Sequence, residues 1–548
     1  MKTLLIAINA KYIHSNPAVY SLQKSCRQYS RQFGIELGEV LVQEYTINQS
    51  HESIYYRIVA ENPDIVAFSV YIWNLEVVRR LAADLKAVRP ELKVWMGGPE
   101  VSYGTEHKNL TFDVVMEGEG ERVLFALLAR EHGEQVPGSW QFTQEGRRAS
   151  CAPIDNLNEL PFLYDDLTPF QNRIIYYEAS RGCPFHCAYC LSSAEKGVRE
   201  LPLPRVIREL SILAGQQVPQ VKLVDRTFNC HPARALALVE WLQDLPDDCP
   251  TNFHFEIEAG TLSEKLIEGL TALPRGRVQL EIGIQSTHKK TLRACGRSDQ
   301  LEPVMANIRR LVEAGNMKIH VDLIAGLPYE DYRRFQQSFD DVYRLGAQQF
   351  QLGFLKLLTG TPMENMVAEH AFVFAEHPPY EILKNRYMSQ DDLFRLKCVE
   401  DVLERLYNSG RFTRFLAALL PYFDGPFAMM ASLARRAWQD GIIFQSLALL
   451  ELFEWLASLP RSRRLQTALL LDYYTATSGD RVPARLKALA MEPADRKERA
   501  AALLRRLGRR QRKMVIRFAG GKEFGVDYTE KDPVTECFWL WNKEGQRC

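Results

Sequence analysis

Cys183, Cys187 and Cys190 place three thiols within eight residues, in the run Arg181-Gly-Cys-Pro-Phe-His-Cys-Ala-Tyr-Cys190. Thiols at that density ask for a metal, and the possible centres differ in what else they need. A closed structural zinc site wants a fourth ligand. His186 is the nearby candidate, but wedged between Phe185 and Cys187 it shares a tetrahedron poorly with both flanking cysteines. A disulfide leaves one cysteine over and calls for an oxidising compartment. A four-iron cluster held by three cysteines, with one iron open to a further ligand, uses every thiol. The eleven cysteines of the chain are odd in number and scattered, and the apolar run at Met1–Ala10 is too short for a signal peptide. A reducing cytoplasm is therefore the expected location.

The cysteines follow a strand-like run, Ile174–Ala179, the first of an alternating series. Gln220–Asp225, Asn252–Ala259, Val278–Ile284, Lys318–Gly326 and Gln349–Leu355 continue it, with helical patterns between. Six strands with helical crossovers predict a partial (β/α)6 barrel of the TIM type over residues 171–377, a full barrel needing eight. Chemistry in such a barrel sits at the C-terminal strand ends, where the triplet falls. A separate α/β domain is expected at 1–140, from strand runs at Leu4–Ile8, Val40–Val42, Asp64–Val70, Lys93–Pro99 and Asp113–Gly118. Their alternation with helices predicts a doubly wound, Rossmann-like parallel sheet. Ligands bind beyond the carboxyl ends of such strands, at Asn9–Asn16, Ser69–Trp73, Gly97–Glu100 and Glu117–Glu121. A polar linker is expected at 141–170, and a mostly helical domain with a terminal β hairpin at 378–548.

The 548 residues are 46% apolar or aromatic, which suits about three domains with real cores. Lys plus Arg and Asp plus Glu both total 68, so no global charge draws the chain to nucleic acid or an anionic membrane. Locally, 496–517 holds ten Lys or Arg and one acid, Glu498. RNA is a candidate partner there, yet Leu503, Leu504 and Leu507 favour a packed helix with a solvated basic face. Ile442–Leu459, broken by Gln445, Glu451 and Glu454, reads as a core helix and not a membrane span.

Cys183, Cys187, Tyr189 and Cys190 complete the Cys-x-x-x-Cys-x-aromatic-Cys signature of the radical S-adenosylmethionine (SAM) superfamily, which the chain resembles. The resemblance implies that SAM chelates the open iron and is split to a 5′-deoxyadenosyl radical that abstracts hydrogen from substrate. By the same resemblance Gln285 and Ser286 lie near the SAM ribose, Ile324 and Gly326 near the adenine, and Arg297 faces the SAM carboxylate. The Gly-Gly-Glu run of many relatives is replaced by Asp225-Arg-Thr-Phe-Asn229, where Asp225 or Asn229 is the substitute. For Glu256 and Glu258, a SAM or substrate contact and an internal salt bridge both stay open.

The opening domain resembles the cobalamin-binding module of cobalamin-dependent radical SAM enzymes. That likeness implies cobalamin contacts from Asn9, Lys11, Ser69, Gly97, Gly98, Glu117 and Gly118. The Asp-x-His-x-x-Gly motif that supplies a cobalt ligand is absent, so His14 is not given that role, and a cobalt without a lower protein ligand fits methyl transfer. A domain that keeps the fold and binds no corrin is the plainer alternative. Pro378–Glu381 and Asp391–Glu400 resemble the start of a helical tail, of unassigned role, found in a subset of these proteins.

Together these readings predict an oxygen-sensitive enzyme with a [4Fe-4S] cluster, SAM and cobalamin, transferring methyl to an unactivated carbon of an unidentified substrate. A reducing partner such as flavodoxin or ferredoxin is implied. The alternatives are a cobalamin-assisted rearrangement, cyclisation or oxidation, and a non-catalytic iron-sulfur or corrin-binding sensor. A methylthiotransferase would need further cysteines in the opening domain, which has only Cys26. Substrate contacts have no motif; Tyr329, Lys356 and Asp225 are pocket candidates.

Overall fold

The computed structural model describes residues 1–103, 109–136, 140–142, 147–193, 197–459, 462–479, 481–491, 495–507, 514–544 and 546–547. Its contacts divide the chain into two compact units, Met1–Ile257 with Lys356–Leu383, and Glu258–Leu355 with Lys384–Cys548.

The first unit opens with a parallel sheet of β1 (Lys2–Asn9), β2 (Glu39–Thr46), β3 (Ile65–Ser69), β4 (Lys93–Gly97) and β5 (Val114–Met116), in the order β2-β1-β3-β4-β5. β1 is buried along nearly its whole length, as a strand covered on both faces must be. Its side chains alternate between two cores: Leu4, Ile6 and Ile8 pack with the helices His51–Ala60 and Leu75–Val88, and Leu5 and Ala7 with Pro17–Phe33 and Gly120–Glu131. The chain leaves β1 toward β2 and returns to β3 on its other side. That switch point opens a crevice at the carboxyl ends.

Part of the expected linker is sheet. β6 (Trp140–Phe142) runs antiparallel to β7 (Arg148–Cys151), and β7 joins β5 in parallel. Strands of three and four residues, one reading Arg-Ala-Ser-Cys, carry too little alternation to be seen in sequence. The unit continues with β8 (Ile175–Tyr177), a short antiparallel ribbon of β9 (Ser180–Gly182) and β10 (Val198–Glu200), and then β11 (Gln220–Leu223) and β12 (Asn252–Ile257). β8, β11 and β12 are parallel neighbours, crossed over by the helices Leu203–Gly215 and Pro232–Gln243.

The second unit holds β13 (Val278–Gln285), β14 (Lys318–Ala325) and β15 (Gln349–Phe354), also parallel and crossed by Leu301–Ala314 and Tyr332–Tyr343. Val278, Leu280, Ile282 and Ile284 of β13 are buried, while Gln279, Glu281, Gly283 and Gln285 are half-buried. All six strands expected over residues 171–377 are therefore present, three in each unit. Helices follow from Gln390–Val402, which runs on into a π-helical turn at Leu403–Asn408, to Arg496–Leu507. The chain closes on an antiparallel sheet of Met514–Ala519, Lys522–Lys531 and Phe538–Trp541, one strand more than the expected hairpin.

The expected core helix at Ile442–Leu459 is shorter: only Leu449–Ser458 is helical. Phe444 has φ +62°, and Glu451 accepts a hydrogen bond from Ala448 N at 2.8 Å, starting the helix there. In the basic stretch, Leu503 is buried and Arg499 pairs with Glu523, but 508–513 lie outside the described residues. Among the described residues no single helix is long and apolar enough to cross a membrane. The bent pair Thr413–Tyr422 and Pro426–Gln439 meets that test by length and composition, but buries Phe415, Leu416, Met429, Met430 and Leu433.

Candidate functional site

The cysteine loop is built on the β9–β10 ribbon. Gly182 ends β9 at φ +94°, and a Cβ there would lie 2.1 Å from the carbonyl oxygen of Gly197, so only glycine lets the ribbon close. Inside the loop Cys190 N donates to Cys187 O at 3.0 Å, and Ser193 Oγ to Cys190 O at 2.6 Å. Cys183 and Cys187 are buried, Cys190 and Tyr189 half-buried, and His186 exposed. No disulfide engages the three thiols. Three thiols in one tight loop, with the loop's histidine exposed beside two buried cysteines, suit an iron-sulfur cluster better than a four-ligand zinc site. Thr227 Oγ1 lies 3.6 Å from Cys183 Sγ. Asp225 accepts from Ala179 N at 3.0 Å and from Ser180 Oγ, and burial pushes its carboxyl up to about 6. It holds the strand leading into the loop. Asn229 is buried as well.

Also within the first unit is a cavity of about 750 Å³, in the size range of small-molecule and cofactor sites. One wall is the carboxyl edge of the opening sheet, with Asn9, Ser69, Gly97, Gly98 and Gly118. Gly98 has φ +108°, and a Cβ there would meet Val70 O at 2.6 Å. Gly118, at φ +72°, has no atom within 4 Å of where a Cβ would stand. The wall is a cradle that side chains would fill, which suits a bulky group laid against backbone. Asn9 is held by its amide, donating to His14 O at 3.0 Å and Glu44 Oε1 at 2.9 Å. Asn16 Nδ2 donates to Ser69 Oγ at 3.1 Å.

The facing wall carries Tyr176, Arg226, Glu256, Arg181 and Gly182, with Leu191 and Ser192 from just past the cysteines. His14 Nδ1 is 2.6 Å from Tyr176 Oη; burial lowers the histidine pKa and pushes the phenol up to about 12. Tyr71 and Trp73 stack at 4.3 Å between centroids in the same cavity. This aromatic pair went unremarked in sequence, although it stands in one of the strand-end loops. Lys11 is exposed, Glu117 pairs with Arg148, and neither lines the cavity.

The remaining candidates belong to the second unit. Gln285 ends β13 at φ +68°, rare for a residue with a side chain, and its Oε1 is buried without a hydrogen-bond partner. An orphaned buried acceptor at a strand end suits a bound hydroxyl or amine. A Cβ on Gly283 would lie 2.3 Å from Gln285 Nε2. Ser286 turns into the fold: it is wholly buried and its Oγ accepts from His288 N at 2.9 Å. Beside it Glu330 accepts from Ser338 Oγ at 2.5 Å, and burial pushes its carboxyl up to about 7. Arg297 Nη2 donates to Glu258 Oε2 at 3.1 Å and to Gly283 O at 2.6 Å. Ile324 is half-buried near the end of β14, and Gly326 follows that strand at φ +90°. Glu258 thus has an internal salt bridge, and in the first unit Glu256 lies 3.8 Å from Lys222 Nζ. Glu281, His320 and Asp322 bring ligand atoms within 4.8 Å of one another on β13 and β14.

Residues 3–128 match the B12 binding domain family, 177–342 the Radical SAM superfamily, and 368–525 a protein family of unknown function, DUF4080. The chain therefore carries a B12-binding domain followed by a radical SAM domain, the domain pair of cobalamin-dependent radical SAM proteins. Among curated proteins it resembles the cobalamin-dependent radical SAM methyltransferase TokK of Streptomyces tokunonensis, 25% identical over 54% of this chain and 47% of TokK. It spans about half the length of the curated relatives it matches first. Among solved structures it resembles the cobalamin-dependent radical enzyme OxsB with aqua-cobalamin and SAM bound (TM-score 0.58, 14% identity, 89% of this chain and 77% of that one). It also resembles the radical SAM methyltransferase TsrM of Kitasatospora setae, bound to cobalamin and a [4Fe-4S] cluster (TM-score 0.53, 18% identity, 67% and 75%). At these identities the structural likeness is one of fold.

Proposed function

We propose that the protein is a cobalamin-dependent radical SAM methyltransferase that acts on an unactivated carbon. One observation carries this reading: a single cavity has the glycine cradle of the B12-type sheet on one wall and the ends of the cysteine loop on another. Cys183, Cys187 and Cys190 hold the cluster. Asn9, Ser69, Gly97, Gly98 and Gly118 lie against the corrin; Lys11 and Glu117, which do not line the cavity, are left out of that set. Tyr189, Gln285, Arg297, Ile324 and Gly326 attend SAM, Gln285 through its orphaned amide oxygen. Ser286, next to Gln285, belongs to the same polar pair near the SAM ribose. When bound, the cluster, SAM and cobalamin supply reductive sulfonium cleavage and methyl carriage. The chain's own residues orient them, exclude water from the cavity, and keep Cys183–Cys190 within a fixed loop.

The domains are assigned as cobalamin-binding at 1–140, a connection at 141–170, the barrel at 171–377 and a helical domain at 378–548. The enzyme works in the cytoplasm, with flavodoxin or ferredoxin as electron donor. Its relatives' names fit methyl transfer, TokK being a methyltransferase. The test is anaerobic turnover of reconstituted protein with SAM and candidate substrates, with and without cobalamin. Both 5′-deoxyadenosine and S-adenosylhomocysteine are expected, the latter only with cobalamin. Deoxyadenosine alone, with a substrate rearranged or oxidised, would contradict methyl transfer.

A further inference from the structure

Two loops 60 residues apart in sequence share one set of buried charges. Gly118–Glu121, the turn after β5 and the first residues of the helix Gly120–Glu131, lines the cavity on its B12-type wall. The β9–β10 ribbon brackets the cysteine loop and sets Arg181 directly opposite Arg199. In that register both side chains leave the same face.

Arg181 donates from Nη2 to Glu121 Oε1 at 2.6 Å and to Glu178 Oε2 at 2.9 Å, and its Nη1 lies 3.4 Å from Glu119 Oε2. Arg199 donates to the other Glu119 oxygen at 2.6 Å and to Ile154 O at 2.7 Å. The acids are anchored from their own side: Glu121 accepts from Ser21 Oγ at 2.9 Å, and Glu119 from Ile154 N at 2.6 Å. The side chains of Arg181 and Glu121 are only 13% and 6% exposed. At that depth, separating one partner leaves an uncompensated charge, so neither loop shifts without the other. Arg181 is also two residues from Cys183, with only Gly182 between.

We infer that Arg181, seconded by Arg199, is a positioning residue that couples the two cofactor sites. Ordering of Cys183–Cys190 around a cluster fixes Arg181, which fixes Gly118–Glu121 against the corrin. Cobalamin then binds more tightly when the cluster is present, and by reciprocity the cluster is held more firmly when cobalamin is bound. This rests on the assignment of the cavity to cobalamin and of the triplet to the cluster.

The experiment is an equilibrium titration of hydroxocobalamin into the full-length protein, once cluster-free and once anaerobically reconstituted. For the wild type, reconstitution is expected to lower the Kd about tenfold, within the usual span of site-to-site coupling. Arg181→Gln should still bind hydroxocobalamin and bring the ratio close to one; Arg181→Lys, which keeps the charge and loses the fork, should fall between. Glu121→Gln should also lower the ratio while keeping the Ser21 contact, so a failure of Arg181→Gln to fold leaves the inference exposed to test. A ratio near one in the wild type, or a ratio unchanged in the variants, overturns the coupling. No hydroxocobalamin binding by either form of the wild type overturns the cofactor assignment beneath it as well.

Discussion

Glu330 shows how one buried group makes the stability of the fold depend on pH. It is wholly buried beside Ser286 and Ser338, and burial raises its carboxyl from 4.5 to about 7. Its folded pKa lies above the unfolded value, so its contribution to stability is complete below about pH 4.5 and is lost as pH rises through about 7. The loss is on the order of 3 kcal/mol. Glu330→Gln, which can keep a hydrogen bond to Ser338, is therefore expected to raise the thermal midpoint at pH 8 and to lose that advantage near pH 5. An advantage equal at both pH values would contradict the burial account. Ser286 and Arg297 mark the limit of reading single residues from a sequence. Motif position points both toward SAM; it does not tell that Ser286 Oγ accepts from His288 N, or that Arg297 also donates to Glu258, a partner 39 residues away that packing and not local order selects. The cysteines were legible because their spacing alone restricts the chemistry.

The cysteine loop depends on an element that no periodicity announces. β9 and β10 have three residues each, and their closure turns on Gly182 at φ +94° against Gly197 O. Gly182→Ala is expected to open the ribbon and reduce reconstituted iron to less than half of the wild-type content, while the circular dichroism of the fold stays near wild type. Full iron content in that variant would mean that the loop is set by the cysteines alone. Longer elements were plain in the sequence: β1, β13 and β14 each have eight residues of clear apolar patterning. β6 and β7, hidden in a polar stretch, were not, nor was the break at 442–448, which depends on a positive φ at Phe444 and a cap from Glu451. Turn chemistry of that kind is local but degenerate, so it yields to the pull of an apolar run when only sequence is read.

At the scale of the whole molecule, two successive α/β systems occupy one chain, and the first unit alone holds both the glycine cradle and the cysteine loop. Their order was visible in the alternation of strands and helices. Their convergence on one cavity was not, because it depends on how β1, β3, β4 and β5 face β8, β9 and β11 within that unit. The central claim is that this cavity takes cobalamin beside a cluster on the same chain. Its most direct test is the stoichiometry of anaerobically reconstituted full-length protein after desalting, by iron and corrin analysis. About four irons and one corrin per chain are predicted for the wild type. Cys187→Ala should lose the iron and still take up hydroxocobalamin at saturating concentration. Gly98→Val, which crowds Val70 O and the cradle, should lose the corrin and keep the iron. A wild type that retains no corrin, or a Gly98→Val protein that retains it fully, would contradict the account.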